Sequence, residues 1–162
     1  MTHNKARHSC TKPYSLTESE GGTKIDKEHC IATIKRKGGD RSNWRFSKLF
    51  DDLTKSEQMN YSNIDFERHE LPIFICWQNA GNWTLVTTHC LRGCIDNEEI
   101  KIALDNIDTC DYGIFKSPGG NPIIKEITIR TKDSHEFRMI QESQEAGLAM
   151  MYAVDYVKEQ RQ

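Results

Sequence analysis

The chain has 162 residues, of which 36% are hydrophobic and 28% are charged, and its formal net charge is -2 at pH 7. This length suits one domain that can bury a hydrophobic core without disulfides or metal ions. The near-neutral balance argues against a protein that binds nucleic acid over its whole surface.

The charge is unevenly distributed along the chain. Residues 1–59 contain twelve Lys and Arg against eight Asp and Glu, a balance of +4. Residues 60–115 contain three against nine, which is -6, and residues 116–162 contain seven of each. The first third is therefore basic and the middle is acidic, a pattern that indicates oriented electrostatic interactions.

No apolar segment at the N-terminus resembles a signal peptide, and no stretch approaches the ~20 apolar residues of a membrane-spanning helix. The sequence therefore predicts a cytoplasmic protein. In that compartment the six cysteines are expected to be reduced thiols and not a disulfide framework.

The first 59 residues are expected to lie outside the main domain. Residues 1–24 are polar and aperiodic, which predicts a mobile tail. Cys30–Ile34 is interpreted as a short strand or the start of a docking segment, and Lys35–Arg41 as a charged loop. Within residues 25–59, which would pack on the domain, an extra helix is predicted over about 43–55. Its apolar residues follow the helical spacing i, i+3, i+4 and i+7: Phe46, Leu49, Phe50 and Leu53.

Alternation of apolar and polar residues then predicts strands. Leu71–Trp77 and Trp83–Thr88 are apolar or β-branched runs around a glycine-containing turn, which is typical of a hairpin. Leu91–Cys94 is interpreted as another turn, and Ile100–Leu104 as a further strand.

Two more strands and a helix complete the predicted elements. Asp111–Asn121 contains Pro and three Gly, which predicts a loop, and Ile123–Thr131 with His135–Ile140 predicts a second hairpin. From Ser143, a candidate N-cap, small and apolar residues recur at helical spacing and predict an amphipathic helix. The stripe consists of Ala146, Ala149, Met150, Ala153, Val154 and Val157.

This order of elements resembles the pleckstrin-homology-like fold, in particular its bacterial and lipid-binding GRAM-type branches. The stretches that carry the resemblance are WTLVTTHCLRG, IKIALDNID, KEITIRTKDSHEFRMI and the helix at residues 143–160. The resemblance implies an α+β domain over residues 60–162. It would be a strongly bent antiparallel sheet or small barrel of about six or seven strands, closed by a C-terminal amphipathic helix. It also implies a binding scaffold and not an enzyme.

Phosphoinositide-binding members of this family place several Lys and Arg in the loop that joins the first two strands. The corresponding loop here, Gln78–Asn82, contains no basic residue and lies in the acidic part of the chain. This departure from the family pattern makes recognition of a protein a better expectation than recognition of a lipid headgroup.

A histidine and two cysteines stand within six positions, at His89, Cys90 and Cys94. A structural zinc site needs four ligands, and adjacent residues of a strand point to opposite faces. The sequence therefore predicts packing thiols on a Trp83-led strand that turns at Arg92–Gly93, with no metal site and no cofactor. Nucleophile-elbow, zinc-protease, P-loop and dinucleotide-binding motifs do not occur, so no enzyme is predicted.

Two charged surfaces remain as candidate binding sites. The acidic one could attract a basic protein, and a concrete form is an immunity or antitoxin protein that blocks a cationic toxin such as a nuclease. Its residues are Asp96, Glu98, Glu99, Asp105, Asp108 and Asp111. The alternative is an anionic membrane surface bound by the basic segment. Its residues are Lys35, Arg36, Lys37, Arg41, Arg45 and Lys48.

Overall fold

A computed structural model describes residues 26–161, so the predicted tail at residues 1–24 lies outside the described part. The fold is α+β, as predicted. The helices are α1 (Lys27–Lys37), α2 (Lys55–Met59) and α3 (Gln144–Arg161). The strands are β1 (Ser47–Leu49), β2 (Pro72–Asn79), β3 (Asn82–Thr87), β4 (Cys90–Ile95), β5 (Glu98–Ala103), β6 (Ile107–Asp111), β7 (Ile124–Thr131) and β8 (Glu136–Glu142).

The strands form two antiparallel sheets in which chain neighbours are also spatial neighbours. The first sheet has the order β1-β2-β3-β4-β5, and the second has the order β6-β7-β8. The predicted antiparallel strands and C-terminal helix are confirmed. The eight described strands form two separate sheets, however, and do not close into one barrel.

The main core lies between the two sheets and the long helices. One face of the first sheet contributes Phe74 and Leu91, the second sheet contributes Ile127 and Met139, and all four are buried. The small-residue stripe of α3, which includes Val154, packs into the same core. Small side chains let a helix approach its neighbours closely, and α1 packs against α3 in this way.

A second, smaller cluster covers the other face of the first sheet. Trp83 and Leu85 of β3 are buried there beneath Leu53 and Tyr61, which belong to the chain between β1 and β2. The Tyr61 ring meets Trp83 edge-on, with ring centroids 6.3 Å apart. The first sheet is therefore covered on both faces.

The predicted helix at residues 43–55 is wrong. This stretch contains strand β1 and a 3₁₀ turn at Phe50–Asp52, and the short helix α2 begins only at Lys55. The physical reason is that the segment crosses the edge of the first sheet. Leu49 enters the main core, whereas Phe50 packs with the cluster on the opposite face.

A helix lies instead where a short strand and a charged loop were predicted. Asp26 caps α1 because its side chain accepts the His29 N–H at 3.1 Å, and Cys30 and Ile34 form the buried stripe. Lys35 and its two neighbours occupy the last turn, where the helix dipole favours cations.

Both predicted hairpins are confirmed, but the turn assigned to Leu91–Cys94 is wrong. That stretch is inside β4, and the chain turns earlier, at Thr88–His89. The Thr87 hydroxyl accepts the N–H groups of His89 at 3.1 Å and Cys90 at 2.9 Å. A threonine side chain therefore fixes a tight turn that contains no glycine.

Helix α3 is the most accurately predicted element, since it runs from Gln144 to Arg161. The hydroxyl of Ser143, predicted to cap it, accepts the N–H of Ile123 at 3.0 Å. None of the helices in residues 26–161 is long and apolar enough to cross a membrane.

Candidate functional site

The six acidic residues singled out from the sequence lie on consecutive elements. Asp96 is in the β4–β5 turn, and the others follow in β5, in the 3₁₀ turn Leu104–Asn106, and in β6. All are exposed, and none forms an ion pair with another residue of the described part. We call Asp96, Glu98, Glu99, Asp105, Asp108 and Asp111 the acidic edge.

The position of the acidic edge follows from the topology. Within the described residues β5 is hydrogen-bonded only to β4, and β6 only to β7, so each is the outer strand of its sheet. Buried Ile102, Leu104 and Ile107 anchor this part of the chain in the core, while the acidic side chains stay exposed. Two outer strands in direct succession, with the turns beside them, thus carry exposed carboxylates.

The turn that leads into β5 is well fixed. Asp96 and Asn97 both have positive φ, at 51° and 67°, as expected of a two-residue hairpin turn that matches the strand twist. The Asp96 N–H donates to the Asn82 side chain at 3.2 Å, and the Asn97 N–H donates to the Gly81 carbonyl at 3.1 Å. These contacts tie the turn to the neighbouring β2–β3 turn.

The six basic residues singled out from the sequence are exposed too, but several have partners. Arg41 pairs with Asp52, and Lys48 Nζ lies 2.6 Å from the Glu57 carboxylate. Two more lie over aromatic rings: Lys37 over Tyr152 at 4.9 Å and Arg45 over Phe46 at 5.1 Å. The six basic residues are also spread over α1, the 3₁₀ turn Arg41–Asn43, the link that follows it and β1. Membrane binding through this segment stays a prediction.

The cysteines near His89 are packing residues. Cys90 and Cys94 are 3% and 5% exposed, and burial raises the pKa of the Cys90 thiol to about 11 and also raises that of Cys94. The His89 ring bonds the Thr88 hydroxyl through Nδ1 at 2.9 Å, and burial lowers its pKa. Within residues 26–161 no group of three or more potential ligands is arranged to hold a metal ion.

Within residues 26–161, a buried carboxylate that the sequence did not reveal accepts four hydrogen bonds. Glu70 is 4% exposed, and its carboxylate accepts two hydrogen bonds from Arg92, from Nε at 2.8 Å and from Nη2 at 2.7 Å. The Thr87 hydroxyl donates to it at 2.8 Å, and the Glu67 N–H at 2.9 Å. This is a bidentate ion pair with nearly complete hydrogen bonding, which a buried charge requires.

These hydrogen bonds also determine the direction in which the pKa of Glu70 departs from its ordinary value. Burial alone would raise its pKa, but the hydrogen bonds from Arg92, the Glu67 N–H and Thr87 together lower it to about 2. Arg92 also donates through Nη2 to the Asp65 carbonyl at 3.0 Å. The pair therefore fastens the chain before β2 onto strand β4.

One sequence signal pointed to Arg92. Leu91, Gly93 and Ile95 alternate with Arg92 and Cys94, and such alternation is typical of a strand with an arginine on one face. The Arg-Gly pair instead suggested a turn. Glu70, which is 22 positions away, could not be assigned as its partner from the sequence.

Two open clefts lie near these features. One, of about 330 Å³, is at the start of α3, beside Trp44, Glu142 and Glu145. The other, of about 340 Å³, is on the outer face of the first sheet, between Asn63–Asp65 and strands β3 to β5. The second cleft contains Glu99 and so adjoins the acidic edge.

No family model matches the chain, and neither a curated protein nor a solved structure matches it significantly.

Proposed function

We propose that this protein is a non-enzymatic binding module with a pleckstrin-homology-like fold, and that its acidic edge binds a basic protein. The observation that carries the proposal is the contrast between the two charged surfaces. Within the described residues the acidic edge has no ion pairs, whereas Arg41 and Lys48 of the basic segment are paired. Uncompensated charge is what attracts a partner of the opposite sign.

The order of the elements supports the family part of the proposal. Four consecutive antiparallel strands, β2 to β5, precede three more, β6 to β8, and α3 follows them. This is the order on which the resemblance rests, and α1 and β1 are additions to it. The β2–β3 turn is Ala80–Gly81, without a basic side chain, so protein binding suits it better than phosphoinositide binding.

In the concrete form of this proposal, the partner is a cationic toxin domain such as a nuclease, and this protein is the immunity protein that blocks it. A nuclease must carry positive charge where it binds nucleic acid phosphates. An acidic surface placed over that charge would block the substrate and would speed association through electrostatic steering.

The test compares two charge-reversed variants as baits in cells of the source organism. D105K/D108K reverses two residues of the acidic edge, and D155K/E159K reverses two exposed residues of α3 as the matched control. We expect the wild type and the control to retain one stoichiometric basic protein and D105K/D108K to lose it. Calorimetry on the isolated pair should show weaker binding as salt is added.

Recovery of a partner that D105K/D108K binds as well as the wild type does would refute the role of the acidic edge. A neutral or acidic partner whose affinity does not change with the salt concentration would refute the electrostatic mechanism. If no stoichiometric protein is retained by any bait, the binding-module proposal itself fails.

A further inference from the structure

The cleft on the outer face of the first sheet has a mixed apolar and acidic lining. Trp83, which is 8% exposed, and Ile64 belong to the small hydrophobic cluster and supply its apolar wall. Asp65 and Glu99, both exposed, stand at its rim. Apolar contact area combined with a few charged groups is the usual character of a specific binding pocket.

The charges around this cleft do not cancel. Two cations, Arg92 and Lys101, line it, and each is already paired: Arg92 with Glu70 and Lys101 with Glu67. The remaining carboxylates, Asp65 and Glu99, have no ion pair within residues 26–161. Four carboxylates against two cations leave a charge of -2 at the cleft.

The cleft is also rigidly supported. The guanidinium of Arg92 is held by Glu70 and by the Asp65 carbonyl, and it lies over the Phe66 ring at 5.6 Å. Trp83 is held from the side by Tyr61. Because these groups are held by contacts within the protein, binding would require little ordering of the pocket.

We propose that this cleft receives an arginine side chain of the basic protein partner. A guanidinium is planar and only weakly hydrated, so it can lie against an aromatic wall while it donates to two carboxylates at the rim. An ammonium group is more strongly hydrated and gains less there. The inference rests on the proposed function, and Glu99 links the two because it belongs both to the cleft and to the acidic edge.

The probe is a blocked peptide, acetyl-Gly-Arg-Gly-amide, titrated into the isotope-labelled full chain and followed by NMR. Its matched control replaces arginine with citrulline, which keeps the shape and removes the charge. We expect the indole N–H of Trp83 and the amides of Asp65 and Glu99 to shift with arginine and to stay unchanged with citrulline. A lysine peptide should bind more weakly.

Three variants locate the contact. D65N and E99Q each remove one rim charge and should raise the Kd of the arginine peptide about threefold to fivefold. E159Q removes one exposed carboxylate from α3, which packs in the main core and not on the face of the sheet that bears the cleft, and should leave the Kd unchanged. All three residues are exposed, so native spectra are expected throughout.

The outcomes separate the inference from the proposed function. If the arginine peptide shifts only residues near Asp105, Asp108 and Asp111, the cleft is not the arginine site, but the acidic edge still binds cations. Equal shifts with arginine and citrulline would overturn the role of charge. If the peptide shifts nothing and the baits retain no partner, both ideas fail; if the baits succeed, only the arginine site is rejected.

Discussion

Glu70 shows how a single buried carboxylate can tie separate parts of the chain together. Its oxygens bring Arg92 of β4, Thr87 at the end of β3 and the backbone of Glu67 to one point. Removing one partner of such a pair destabilises a protein by about 3–5 kcal/mol, because the other charge is left buried and unpaired. Glu70 is therefore a structural residue that supports the neighbouring cleft.

The lowered pKa of Glu70 predicts a specific loss of stability in acid. Because its pKa is about 2 in the folded protein and higher in the unfolded chain, its contribution is complete above about pH 5. The contribution is lost as the pH falls toward 2. We expect the difference in unfolding free energy between wild type and E70Q to shrink by about 3 kcal/mol over this range, measured by urea denaturation.

E98Q is the control for this titration, because it removes an exposed carboxylate that has no ion pair within the described residues. Its stability should follow that of the wild type at every pH. A constant difference between wild type and E70Q from pH 6 to pH 2 would contradict the assignment of this acid sensitivity to Glu70.

At the scale of elements, the segment around β1 depends on a carboxylate from another strand. Glu142 of β8 is 1% exposed, and its two oxygens accept the N–H groups of Arg45 at 2.7 Å and Phe46 at 2.9 Å. β1 has only three residues and pairs only with β2 among the described strands. The contact with β8 therefore fixes where the chain enters the first sheet.

E142Q should loosen this segment, because an amide group offers only one acceptor oxygen to two backbone donors. An unsatisfied buried donor costs about 1–3 kcal/mol, so amide hydrogen exchange at Arg45 and Phe46 should become at least about fivefold faster. E136Q on the same strand is the control, since Glu136 is exposed and pairs with Arg130 at the surface. Equal exchange in E142Q and wild type would show that β1 is held by its pairing with β2 alone.

The segment around β1 also illustrates which elements could be predicted from the sequence and which could not. Strands β2, β3, β5, β7 and β8 carry continuous or alternating apolar runs, and α3 carries a long stripe, so local pattern was sufficient. The helical spacing of Phe46, Leu49, Phe50 and Leu53 was misleading because these residues divide between two faces of one sheet. A pattern of spacing cannot reveal that the acceptor for the Arg45 and Phe46 N–H groups comes from Glu142.

The failure to predict α1 from the sequence had a different cause. Its buried stripe consists of Cys30 and Ile34, which is too short for a clear periodic signal. The cap at Asp26 and the basic last turn were available as evidence, but a row of charged residues suggested a loop. This helix is stabilised by its packing on α3. That contact cannot be inferred from the sequence of α1 alone.

For the whole molecule, the distribution of thiols offers a test of cooperative unfolding. Cys30 of α1, Cys76 of β2 and Cys90 of β4 are all buried. Burial raises the pKa to about 12 for Cys30 and Cys76 and to about 11 for Cys90, so little reactive thiolate forms at neutral pH.

We therefore expect iodoacetamide to modify these three cysteines only when the protein opens, and at one common rate. Mass spectrometry of the digested protein can follow each site, and the same reaction in urea gives the rate for exposed thiols. A much faster reaction at Cys30 than at Cys76 would instead show that α1 detaches from the sheets while they stay folded.

The residues of the acidic edge were chosen from the sequence alone and their binding role stays a prediction, whereas their arrangement on two outer strands was not predicted. The sequence identifies the carboxylates, but only the topology shows that β5 and β6 are both outer strands. The cleft lined by Trp83 and Glu99 was beyond prediction, because it depends on the Asn63–Asp65 segment lying against the sheet.

The carboxylates of the acidic edge also affect how this protein meets copies of itself. An outer strand has backbone N–H and C=O groups that could pair with a strand of another molecule, and this is a common route to aggregation. β5 and β6 would bring two copies together with like charges facing each other, which opposes such pairing. A basic partner meets no such repulsion, so the residues proposed to attract it also keep these strands available for it.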